Sequence, residues 1–200
     1  MSTTRLEAFS DGVLAIIITI MVLEMKVPHG AEFGALTPLI PVFLGYVLSF
    51  VYLGIYWNNH HHLLHAAQRV SGSVLWANLH LLFWLSLIPF TTGWMGENHF
   101  APVPTALYGV NLLMAAIAYM VLQRAILALE GPESVLHSAL SDDRKGMISP
   151  LLYLAAIPLA LLEPAIAGVI YVVVALIWLV PDRRIELAVM RSPESGTGAS

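Results

Sequence analysis

Arg5-Leu6-Glu7-Ala8-Phe9-Ser10-Asp11-Gly12-Val13-Leu14-Ala15-Ile16-Ile17-Ile18-Thr19-Ile20-Met21-Val22-Leu23 is the stretch whose reading decides the fold class. Its uncharged part, Gly12 to Leu23, holds 12 residues. As a helix that part spans about 18 Å, against about 30 Å of hydrocarbon in a bilayer. A helix that crosses here must carry Arg5, Glu7 and Asp11 with it at one end and Glu24 at the other, so it cannot be ringed by lipid. Arg5 and Glu7 admit two readings: groups that face the bundle, or groups that lie at the headgroups and snorkel. Asp11 is too short to snorkel, and its neighbour at i−4 is the like-charged Glu7. Its stabilising donors must therefore come from another helix.

At about 100° per residue, Arg5, Phe9, Gly12, Ile16, Ile20, Leu23 and Val27 fall within roughly 40° of one line, and Asp11 lies about 140° away. The helix thus has one apolar stripe with Arg5 at its end, and a separate polar edge. Periodicity alone reads such a stripe as lipid-facing or packed. Thr19, on the flank, either offers its hydroxyl outward or bonds the carbonyl at i−4.

The rest of the chain fits this opening. Its 200 residues are 58% hydrophobic and only 11% charged, with a mean hydropathy of +0.78. Soluble domains carry roughly 25% charge, so the composition predicts an integral membrane protein. Apolar runs divided by polar breaks predict six helices, all-α, over about 4–27, 36–58, 74–94, 105–127, 147–162 and 165–180. They form one unit over 1–182, and the Ser/Gly/Pro-containing tail 183–200 is expected to be disordered. The fifth and sixth runs are short, at about 24 Å each, and read either as two spans turning at Glu163-Pro164 or as one re-entrant hairpin. Pro41, Pro89, Pro150 and Pro158 mark expected kinks. The polar start of the first run, with no small-residue cleavage site after it, reads as a retained helix and not a signal peptide.

Arg5, Arg69, Arg124, Arg144, Lys145, Arg183, Arg184 and Arg191, all but one of the nine basic residues, fall on the side shared by both termini. Only Lys26 is opposite. The positive-inside rule then places both termini in the cytoplasm, which requires an even number of spans. Zero Cys removes disulfides and thiolate sites, and the thin net charge of −4 leaves no basic patch for nucleic acid. His60-His61-His62-Leu63-Leu64-His65 is the densest histidine cluster, with His61 and His65 at helical metal-ligand spacing. One such cluster without acidic partners in register reads as a helix end, not as a metal centre or an enzyme, and histidines there offer pH sensitivity.

The order Arg5-x-x-x-Phe9-Ser10-Asp11, with Trp57-x-x-His60, Asn78-Leu79 and Pro89-Phe90-x-Thr92 following, resembles the signature of the transmembrane protein 175 family, a family of potassium channels. The resemblance covers nearly the whole chain. It implies a potassium-selective cation channel without a pore loop and without a cofactor, assembled as a homotetramer of the bacterial single-repeat type in a prokaryotic cell membrane. It implies a central path lined by the first helix of each subunit, with its constriction at Ile16 and further layers at Ile20 and Leu23, the same residues that share the apolar stripe. Thr19 would flank that constriction. The matched signature residues Arg5, Phe9, Ser10 and Asp11 would form a network with Trp57, His60 and Asn78 from neighbouring helices. Rival readings are a secondary transporter, against which stands the lack of paired interrupted helices and of a carboxylate at the midplane, and a non-conducting assembly subunit packing through Ala115-Ala116-x-Ala118 and Ala165-x-Ala167-Gly168.

Overall fold

The computed structural model describes residues 3–67, 69–131, 134 and 144–179. Among these residues every regular element is a helix. They are α1 Thr3–Leu23, a 3-10 turn Phe33–Leu39 running into α2 Ile40–Ala66, α3 Gly72–Ser86, α4 Ile88–Glu97, α5 Pro102–Glu130, α6 Arg144–Leu162 and α7 Pro164–Leu179. Four stretches, Thr3–Leu23, Phe33–Ala66, Gly72–Glu97 and Pro102–Glu130, are long and apolar enough to cross a membrane, while Gly146–Leu162 and Pro164–Leu179 are apolar but shorter. The last two join at Glu163, whose carbonyl accepts from Ile166 N at 3.1 Å, and complete an all-α integral membrane protein of six transmembrane helices. The expected tail 183–200, with Arg183, Arg184 and Arg191, lies outside the described residues, as does most of the loop from Ala128 to Gly146.

The second helix begins later and ends later than the hydropathy boundaries. Pro41 sits in its first turn, where a missing N–H costs nothing, and Pro38 lies in the 3-10 turn before it. Beyond Asn58 the helix continues to Ala66 because Leu63 and Leu64 keep the apolar period and are buried. The third span is two helices, not one. Pro89 has no N–H to give Leu85, so the chain turns at Leu87, whose N reaches Trp84 O at 3.3 Å. Asn111 of α5 covers this break. With its amide oriented to satisfy both ends, its nitrogen donates to Trp84 O at 3.0 Å and its oxygen accepts from Ile88 N at 3.2 Å. Thr91 Oγ1 adds a bond to Leu87 O at 3.2 Å.

Two buried clusters hold the bundle. One joins α1, the end of α2, α3 and the second half of α5 around Leu14, Leu53, Leu81, Leu85 and Leu122. The other joins the start of α5 to α2, α6 and α7 around Tyr52, Tyr108, Tyr153 and Tyr171. Small residues allow the second to close: Ala156, Ala160 and Ala167 are fully buried where α6 meets α7. Its hydroxyls are paired as burial demands, with Ser49 Oγ bonded to Thr92 Oγ1 at 2.6 Å and to Tyr108 OH at 2.9 Å, and Tyr52 OH donating to Tyr171 O at 2.6 Å. Helix α1 packs against α2, α3 and α4 on one side, and its other side is exposed among the described residues.

Candidate functional site

Helix α1 buries Leu6, Ser10, Leu14, Ile17 and Met21, recurring every three or four residues. The opposite stripe is bare. Phe9 is 51% exposed, Ile16 59%, Ile20 43% and Leu23 77%, and Arg5, Gly12 and Thr19 are exposed with them. The stripe drawn from periodicity is therefore the face that one chain leaves uncovered. Beside it, between α1 and α4, runs an open groove of about 620 Å³ lined by Val13, Ile16, Ile20, Glu24, Phe90 and Trp94. Thr19 donates its one hydroxyl hydrogen to its own helix, at 3.0 Å from both Ala15 O and Ile16 O. Only its lone pairs remain to face outward.

What positions this face is a polar seam on the far side of the same helix. Ser10, fully buried, donates to Leu6 O at 2.9 Å and accepts from Asn78 Nδ2 at 2.9 Å. The Asn78 carbonyl oxygen lies 2.7 Å from His60 Nε2, so that ring nitrogen carries the proton. His60 Nδ1 then holds a bare lone pair, buried and without a partner among the described residues. This chain of bonds ties three helices through Asn78, with Ser10 as the anchor on α1, which explains why a polar residue stands on the buried face of that helix.

Toward the edge of the bundle, Trp57 Nε1 donates to Asp11 Oδ1 at 3.0 Å. One turn further, Glu7 Oε1 and His61 Nδ1 meet at 2.6 Å. The carboxylate–indole bond is what the short Asp11 side chain needs from another helix, although Asp11 is half-buried and Trp57 is 47% exposed. His61 also stacks on Trp57 and on His65, with ring centroids 6.3 and 5.9 Å apart. No set of three His, Cys, Asp or Glu side chains among the described residues converges to hold a metal ion.

The structure thus brings together Ser10, Asn78 and His60 in one chain of bonds and Asp11 with Trp57 in another. It does not link Arg5 or Phe9 to either: both are exposed on the bare stripe, and Arg5 meets no carboxylate among the described residues. The Glu7–His61 pair is an addition to the expected network. Its signal is present in the spacing, because Glu7 and Asp11 are four apart and so are Trp57 and His61. Two antiparallel helices in register through Asp11 and Trp57 place Glu7 opposite His61. At the other end of α1, Lys26 Nζ contacts Glu97 Oε1 at 2.7 Å, and that carboxylate holds the ammonium above its ordinary pKa.

A six-helix membrane protein with an unpaired apolar stripe on its first helix, anchored by buried polar bonds, has the architecture of a channel subunit. Comparison with known proteins gives the family. Residues 5–89 match the family described as endosomal/lysosomal potassium channel TMEM175. A potassium channel of Chryseobacterium sp. (strain P1-3) is 56% identical over 186 residues, 93% of this chain and 97% of that one. The crystal structure of a lysosomal potassium-selective channel TMEM175 homolog from Chamaesiphon minutus superposes with a TM-score of 0.80 at 28% identity, over 90% of this chain and 97% of that one. The human endosomal/lysosomal proton channel TMEM175 is 36% identical over 96 residues, 42% of this chain and 19% of that protein. The chain belongs to the TMEM175 family of ion channels.

Proposed function

We propose that this protein is a potassium-selective cation channel in which four copies surround an axis lined by their α1 helices, with both termini in the cytoplasm of a prokaryotic cell. The observation that carries this reading is the bare stripe of Phe9, Ile16, Ile20 and Leu23 on a helix whose opposite face is fixed by buried bonds. A membrane helix facing only lipid has no use for a polar seam that sets its rotation. A helix whose side chains must meet their symmetry mates on an axis does. Potassium as the permeant ion follows the relatives, which are named as potassium channels. No cofactor takes part.

The four Ile16 side chains form the constriction and Ile20 and Leu23 the layers outside it. Such a ring excludes water when narrow and conducts when widened or wetted. Selectivity here cannot come from carbonyl rings, because α1 is an unbroken helix whose carbonyls are bonded internally. The deciding experiment is flux of potassium and of sodium under equal gradients in liposomes carrying the purified protein. Rapid potassium-preferring flux that rises, with weakened preference, in Ile16→Asn supports the reading, since an amide ring wets the constriction. Slow saturable exchange indicates a transporter, the absence of flux an assembly subunit, and an Ile16→Asn channel indistinguishable from the parent removes Ile16 from the gate.

A further inference from the structure

Glu24 follows α1 directly, and its carboxylate is exposed into the groove that also holds Ile16 and Ile20. Its side chain lies over Gly93 of α4, its Oε2 3.4 Å from where a Cβ would stand there. On the same side stand Lys26, bonded to Glu97 at 2.7 Å, and the exposed carboxylates of Glu32 and Glu163, which do not line the groove. Glu24 makes no hydrogen bond or ion pair among the described residues. Glu24 is therefore the carboxylate that lines the groove without an ion pair among the described residues, while the exposed charge at the inner end of the stripe, on Arg5, is positive.

We propose that Glu24 is the cation-collecting residue of the outer mouth: its carboxylate, repeated around the axis, raises the local concentration of monovalent cations just outside the Ile16 constriction. This rests on reading α1 as the pore helix. Rings of carboxylates at the mouth of a low-dielectric passage focus the field and enrich cations. They do so only while salt leaves them unscreened, over about 30 Å at 0.01 M and about 3 Å at 1 M. The Lys26–Glu97 pair moderates the effect, because releasing Glu97, which also lines the groove, from its cation would add one negative charge per subunit.

The test is single-channel conductance in planar bilayers in symmetrical potassium chloride, from about 10 mM to about 1 M, for the parent, Glu24→Gln, Glu24→Asp and Lys26→Gln. Glu24→Gln is expected to lower conductance by about three- to tenfold at the low end and to match the parent at the high end. Glu24→Asp restores most of the loss. Lys26→Gln raises low-salt conductance, a change of opposite sign that damage to the fold would not produce. Equal conductance of Glu24→Gln and parent at about 10 mM, a deficit that persists undiminished at about 1 M, or an unchanged Lys26→Gln channel would each overturn the proposal. A parent protein that yields no unitary current at all refutes the pore reading itself, a separate and recognisable outcome.

Discussion

Replacing Asn78 by Ala tests whether the buried seam holds α1 in place. Asn78 is fully buried and makes two side-chain bonds, one to Ser10 Oγ at 2.9 Å and one with His60 Nε2 at 2.7 Å. Ser10 keeps its bond to Leu6 O, so losing its donor leaves only an idle lone pair. His60 loses more. Its Nδ1 is already without a partner, and removal of Asn78 strands the buried Nε2–H as well. An unsatisfied buried donor costs about 1–3 kcal/mol, the lost bond to Ser10 about 1 kcal/mol, and the shortened side chain about 1 kcal/mol more in lost packing. The sum is about 3–5 kcal/mol, which for a chain of this size corresponds to a fall of roughly 6–20 °C at about 2–4 °C per kcal/mol. Thermal melting followed by size-exclusion chromatography in detergent reads it directly. Asn78→Asp, which keeps the acceptor for His60 and loses the donor to Ser10, should fall between. A melting point for Asn78→Ala within 1–2 °C of the parent, well under the predicted shift, would show that the seam contributes nothing to the position of α1.

Gly96→Ala places a Cβ 2.7 Å from the Val42 Cα, a backbone atom that cannot rotate away, so α2 and α4 must part. A loss of about 2–3 kcal/mol in melting experiments is expected, whereas Gly54→Ala, with open space at its Cβ, should be neutral or slightly stabilising. Trp57→Phe removes the half-exposed donor to Asp11 and should cost about 1 kcal/mol, and Asp11→Ala combined with it should cost little more than either alone, since both act on one bond. Full additivity in that cycle would mean the bond is absent. Lys26 is fully exposed and its pKa is raised by Glu97, so whatever the pair contributes is present below pH 10.5 and lost only as pH rises through the higher folded value. The melting difference between Lys26→Gln and the parent should therefore be constant across neutral pH, and small because the pair is exposed.

The six apolar runs and the two faces of α1 were legible because hydropathy and a period of about 3.6 residues report on backbone length and side-chain direction, which neighbours do not alter. Periodicity put Ile16, Ile20 and Leu23 on one face but left open whether that face is packed; the structure leaves it exposed. The break at Leu87 was less legible. Pro89 announced a kink, but whether the chain bends or separates into two helices depends on Asn111, which lies 22 residues away on α5 and supplies the missing bonds. Likewise the buried hydroxyl cluster of Ser49, Thr92 and Tyr108 draws one residue from each of three helices. No local pattern encodes such a meeting. At Thr19 the sequence left two readings, an outward hydroxyl or a bond to the carbonyl one turn back, and the structure takes the second.

The unequal bonding of α1 along its length gives it the mechanics of a lever. Every side-chain hydrogen bond it makes to another helix among the described residues lies between Glu7 and Asp11, and from Val13 outward it is held by packing alone. Ile16 stands five residues beyond Asp11 and Leu23 twelve, about 7.5 and 18 Å along the axis. If the helix tilts by about 10° around that fixed end, Ile16 moves by about 1.3 Å and Leu23 by about 3 Å. In the proposed pore, an outward tilt would carry each outer layer from the axis faster than the one beneath it. Ile16, the layer nearest the fulcrum, would then stay the narrowest point as the helices splay, so the fulcrum's position would select which of several similar aliphatic rings controls passage.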